Sequence, residues 1–107
     1  MPSDKLNRHR PALLDGYATV IALLADEQLA GRLRINPVVV SLVAEGLSDS
    51  EHRRIRSAFG AYVVNTCGCN ESLALGYGCL QGWPHIHSDW VILEPVDAAY
   101  RPTAPCR

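Results

Sequence analysis

The chain has 107 residues, 48% hydrophobic and 20% charged, with a formal net charge of -1. That size and balance describe one folded domain with a modest core and exclude a disordered tail. The small net charge supplies no strong field for nucleic acid or an anionic membrane, and no apolar run nears the roughly 20 residues that a membrane-spanning helix needs.

Residues 1–9 are polar and read as a frayed arm, with no signal-peptide pattern after them. The expected compartment is therefore the cytoplasm, where thiols stay reduced. Leu13, Leu14, Tyr17, Val20, Ile21 and Leu24 then recur at helical spacing. They predict an amphipathic helix over 11–30, with Pro11 in the first turn and Gly31 at the stop. Asn36 and Pro37 read as a cap and first helical position. The β-branched run after them also suits a strand, but Gly46 closes it, and the expectation is a helix over 36–46. Ser48, Asp49, Ser50 and Glu51 form the sequence signature of a capping box. A helix is expected over 49–65, with Ile55, Phe59, Tyr62 and Val63 on its buried face.

After Thr66 the texture changes, with glycine at 68, 76, 78 and 82 and proline at 84, 95, 102 and 105. A short helix over 70–80 is expected to be marginal. Residues 89–94, Asp-Trp-Val-Ile-Leu-Glu, are the best strand candidate. The expected fold is mainly α: a three- to four-helix bundle over 1–66, followed by an irregular Cys/Gly/Pro-rich segment over 67–107 with one short strand.

All four cysteines lie in that second part, as Cys67, Cys69, Cys79 and Cys106, with His85 and His87 between the last two. Thiolates and neutral imidazoles are good zinc ligands, and four close a tetrahedral site. In a segment poor in apolar residues, a structural zinc is the expected staple. Its ligands would be Cys67, Cys69, Cys79 and one of His85 or His87, with Cys106 as a substitute. Cys67 or Cys69 with a histidine and Asp89 also holds the elements of a cysteine nucleophile, though no catalytic residue is assigned. Read blandly, the same cysteines are small hydrophobes, and His9 and His52 are surface residues in charged contexts.

The order Cys67, Cys69, Ser72, Cys79, His85 is similar to that of the CDGSH iron–sulfur proteins. That resemblance implies a two-iron cluster as the alternative cofactor. Here Cys79 falls one residue late, His85 two residues late, and Leu80-Gln81 replaces the family's Asp-Gly. Residues 42–51 resemble the first helix and turn of LuxR-type DNA-binding domains, which implies a nucleic-acid-binding regulator. Arg53, Arg54 and Arg56 would then meet phosphates, but His52 and Arg53 depart from that pattern and no recognition helix follows. Nucleic acid is thus the disfavoured partner. The expected function is a small intracellular zinc-binding regulatory or protein-interaction module, not an enzyme. Tyr77, Trp83 and Trp90 would anchor a protein partner. A redox role for Cys67 and Cys69, and a precursor whose cysteine-rich tail is processed, are the other readings.

Overall fold

The computed structural model describes residues 2–79, 81 and 83–104. It is an α/β fold with helices α1 (Pro2–His9), α2 (Ala18–Leu29) and α3 (Asp49–Phe59). Five strands, β1 (Leu13–Tyr17), β2 (Val39–Val43), β3 (Tyr62–Cys67), β4 (Gly76–Gly78) and β5 (Pro84–Ile86), form one sheet in chain order. β1, β2 and β3 run parallel; β4 and β5 continue the sheet antiparallel. The expected helical bundle is corrected by this sheet.

The reason lies in short segments that satisfy two periodicities at once. The apolar residues at 13–24 match a helical stripe, yet Leu13 to Tyr17 are extended and only Ala18 onward is helical. Leu14 faces the core and Leu13 does not, as strand alternation requires. Gly16 sits under the end of Ile21: a Cβ there would lie 3.5 Å from its Cδ1, ordinary contact for the strand and the helix that folds back on it.

The run at 38–43 holds β2, the middle one of the three parallel strands, flanked by β1 and β3. Val40 and Leu42 are almost fully buried. Its other face carries Val39 and Val43, which are apolar although only partly buried, so the segment shows no clean alternation. The first helix of the LuxR-type resemblance, which starts at Leu42, is therefore the end of β2 and the loop that follows it.

The capping box is present as the sequence predicts. Ser48 Oγ accepts from the Glu51 N–H at 3.3 Å, and Glu51 Oε2 accepts from the Ser48 N–H at 3.1 Å. The helix ends earlier than expected, at Phe59, because Gly60 takes a left-handed conformation (φ 61°) and donates to the Arg56 carbonyl. Tyr62 and Val63 thus belong to β3. The expected frayed arm is α1, with Asp4 in its first turn and Arg8 and His9 in its last, the order that the helix dipole favours. The expected helix over 70–80 contains β4 instead. The strand expected at 89–94 is absent: Asp89 and Trp90 lie in a turn and 91–94 are irregular.

α2 and α3 pack against each other and the sheet, joined at the surface by an Arg54–Asp26 ion pair of 3.1 Å. Between them lies the core: Leu14, Ala18, Ile21 and Ala25 meet Val40, Leu42, Ile55, Phe59 and Val63. Each large apolar side chain buried there contributes about 1.5–3 kcal/mol. The other sheet face stays open, with Leu13, Tyr17 and Tyr62 more than half exposed. No helix among the described residues is long and apolar enough to cross a membrane.

Candidate functional site

β2 and β3 end side by side, and the chain leaves both through small or polar residues. Residues 44–46, Ala-Glu-Gly, follow β2; residues 65–68, Asn-Thr-Cys-Gly, close β3. Between them is a cavity of about 290 Å³ lined by these seven residues. In open α/β sheets, ligands bind in the crevice outside the carboxyl ends of the strands.

The loop after β2 is held in an unusual shape. Ala44 has φ 64°, in the left-handed region that costs a non-glycine residue free energy, and the Glu45 N–H donates back to the Val43 carbonyl at 2.9 Å. What offsets the strain is visible. Glu45 Oε2 accepts from the Thr19 N–H at 2.8 Å and from Thr19 Oγ1 at 2.9 Å. Thr19 is in the first turn of α2, whose N-cap, Tyr17, offers no side-chain bond. The Glu45 carboxylate caps this helix from a neighbouring loop and pins that loop to the sheet. On the other wall, Thr66 Oγ1 donates to the Leu42 carbonyl at 3.2 Å, fixing β3 against β2. Gly68 has a steric cause: a Cβ there would collide with the Leu73 carbonyl. The following loop folds tightly, with Cys69 and Ser72 exchanging backbone hydrogen bonds of 2.9 and 3.1 Å.

The cysteines and histidines expected to meet around zinc are divided by the sheet. Cys67 pairs with Gly76, and Thr66 pairs with Tyr77, which pairs with His85. Alternation puts Cys67 on one face and Thr66, Tyr77 and His85 on the other. Cys67 and Cys69 are exposed free thiols, one at the cavity rim and one in the loop beyond it. Among the described residues, no three His, Cys, Asp or Glu side chains form a group able to hold a metal ion. The expected zinc set Cys67, Cys69, Cys79, His85 and His87 is thus not gathered at one point among the described residues. Cys106 lies outside the described residues.

One pair of that set does come together. Cys79, half-buried past the end of β4, has its thiol held below the ordinary range. The Gln81 N–H is the largest cause, followed by the His85 side chain and the Trp83 N–H. His85 in turn stacks on Tyr77, with ring centroids 5.4 Å apart, and His87 lies tilted against the same ring at 5.3 Å. Trp83 and Trp90, expected as partner anchors, are largely exposed.

Sequence reasoning missed the crevice residues Ala44, Glu45, Asn65 and Thr66. Their signal was positional: small and polar residues directly after two β-branched runs, readable only once both runs are recognised as parallel strands.

No family model matches the chain, and no curated protein matches it. Among solved structures, it superposes on the crystal structure of an open conformation of 2-hydroxyisobutyryl-CoA ligase in complex with 2-HIB-AMP and CoA. The chain is similar in fold to one part of that ligase. The TM-score is 0.76 at 22% identity, over 97% of this chain and 26% of the other. The chain thus spans about a quarter of the ligase's length.

Proposed function

We propose that this chain forms part of an acyl-adenylate-binding site of the acyl-CoA ligase kind. The observation that carries the reading is the crevice at the carboxyl ends of β2 and β3, bounded by residues 44–46 and 65–68. It lies at the carboxyl ends of parallel strands, the end of an open α/β sheet at which ligands bind. The similarity in fold to a ligase described with 2-HIB-AMP and CoA supports that ligand class.

In this reading each wall has a task. Gly46 carries no side chain and has open space beside it, so a ligand can approach its backbone closely. Asn65 and Thr66 supply polar side chains that orient it. Glu45 is a positioning residue that holds the first wall through Thr19. Ligase activity on this reading needs further protein, since the chain corresponds to about a quarter of the similar enzyme.

The test is titration of the chain with an acyl-sulfamoyl adenosine, a hydrolysis-resistant adenylate mimic, followed by amide NMR. Shifts are expected at residues 44–46 and 65–68, with weaker binding in Asn65→Ala and Thr66→Val. Saturable shifts confined to another surface, or no shifts at millimolar mimic, would sink the assignment.

A further inference from the structure

The opposite end of the sheet carries a second, cationic concavity. α1 leaves through Arg10, whose backbone is left-handed (φ 49°) and whose N–H donates to the Leu6 carbonyl. The turn between α2 and β2 supplies Gly31 (φ 76°), Arg32 and Arg34. Asn7 clamps the two segments: its Nδ2 donates to the Arg32 carbonyl at 3.0 Å, and its Oδ1 accepts from the Arg34 N–H at 2.6 Å. The result is a cavity of about 590 Å³, joined through Arg10, Gly31 and Arg34 to another of about 430 Å³.

The charges here are not equivalent. Arg32 is spent on Glu27, through a two-pronged contact at 2.8 and 2.6 Å. Arg34 gives only its Nε, to the Gly31 carbonyl at 3.2 Å, and the Arg10 guanidinium meets no carboxylate among the described residues. Arg10 and Arg34, which line both cavities, therefore keep guanidinium donors to spare, and Ser3 also lines the first. Asp4 lines the rim and sets a limit on how much anion the site takes. The planar guanidinium fork matches phosphate oxygens, and a left-handed non-glycine backbone held by its surroundings is a mark of a site under constraint.

From this arrangement we infer that the Arg10–Arg34 cleft is an anion site for a phosphomonoester group. It is separate from the crevice after β2 and β3. Arg10 precedes β1 and Arg34 precedes β2, whereas that crevice lies beyond the strands' other ends. The ligand is a phosphate dianion, either free or carried on a nucleotide.

The experiment titrates the chain with inorganic phosphate and, in a second arm, with adenosine 3′,5′-bisphosphate, both at constant ionic strength set with chloride. Amides of Gly31 and Arg34 should shift saturably, and residues 65–68 should not follow phosphate. Tighter binding of the bisphosphate assigns the nucleotide source; equal binding assigns free phosphate. Arg34→Gln and Arg10→Asn, the latter chosen because asparagine tolerates a left-handed backbone, should each weaken binding about tenfold, the loss of one charge-assisted contact. Arg34→Lys should recover part of it. Unchanged affinity in both variants, with native circular dichroism, overturns the inference, as does phosphate binding no stronger than that of chloride.

Discussion

Glu45→Ala tests the link between the crevice and the fold. The carboxylate makes two hydrogen bonds, at 2.8 and 2.9 Å, to Thr19 in the first turn of α2. A lost cap of this kind costs about 1 kcal/mol, and the charge–dipole part contributes about 0.3–1 kcal/mol at an exposed helix end. Both contacts are solvent-accessible, so water replaces part of what is lost, and the net cost should be about 1 kcal/mol. For a domain of this size that lowers Tm by roughly 4–8 °C. Urea denaturation of wild type, Glu45→Ala, Thr19→Ala and the double variant forms a cycle whose coupling energy should be about 0.5 kcal/mol, the hydroxyl's share. Added salt should shrink the cost of Glu45→Ala, because the dipole part is screened. Freed of its anchor, Ala44 has no reason to stay left-handed, so the adenylate mimic should bind more weakly to Glu45→Ala while phosphate at Arg10 and Arg34 is unaffected. A midpoint within experimental error of wild type, with a coupling near zero, would refute the idea that this carboxylate holds the loop.

Phe59→Ala should cost about 3–5 kcal/mol in chemical denaturation, since the ring is buried between α3 and the sheet; an unchanged midpoint would contradict that packing. Ser48→Ala should cost about 1 kcal/mol through the lost cap. Glu51 has its carboxyl held below the ordinary range, first by the Ser48 hydroxyl and then by the Ser48 N–H. A folded value below the unfolded one adds stability that is full above about pH 4.3 and fades as pH falls through the folded value, so the Ser48→Ala deficit should narrow in acid. A deficit that widens below pH 4 would reverse that sign. Cys79 should be alkylated at lower pH than an ordinary thiol of pKa about 8.5, and His85→Ala should raise the midpoint; peptide mass spectrometry reads the Cys79 peptide, and a midpoint indifferent to His85 would remove the imidazole from the explanation.

Local chemistry was legible in the sequence and long-range pairing was not. The capping box at Ser48 and Glu51 and the core positions Ile55 and Phe59 follow from helix rules acting within four residues. The parallel strands fail those rules because each is short and packs against helices. Residues 13–17 hold apolar side chains at 13, 14 and 17, which a helix stripe also allows, and only pairing with β2 decides the matter. The 38–43 run was ambiguous on propensity alone. The flanking Asn36-Pro37 and Gly46 then favoured helix, although glycine serves equally in the loop that follows a parallel strand. Once 39–43 is a strand, α3 serves as the crossover that returns 62–67 parallel beside it.

The placement of the cysteines was hidden for a related reason. Closeness in sequence says nothing about faces, and in a strand two residues one apart point to opposite sides of the sheet. Thr66 and Cys67 are separated in this way, so the hairpin that brings His85 to Tyr77 carries it away from Cys67. The pattern that matters instead is one cross-strand row, Tyr17, Val43, Thr66, Tyr77 and His85, running through all five strands. It lies at the carboxyl end of the parallel strands and on the open face. Thr66 is its midpoint and also lines the crevice between the loops after β2 and β3. A substitution at Thr66 should therefore be felt both in the crevice and in the Tyr77–His85 stack. A change at Cys67, one residue further along the same strand, should reach the crevice alone, because its side chain belongs to the other face.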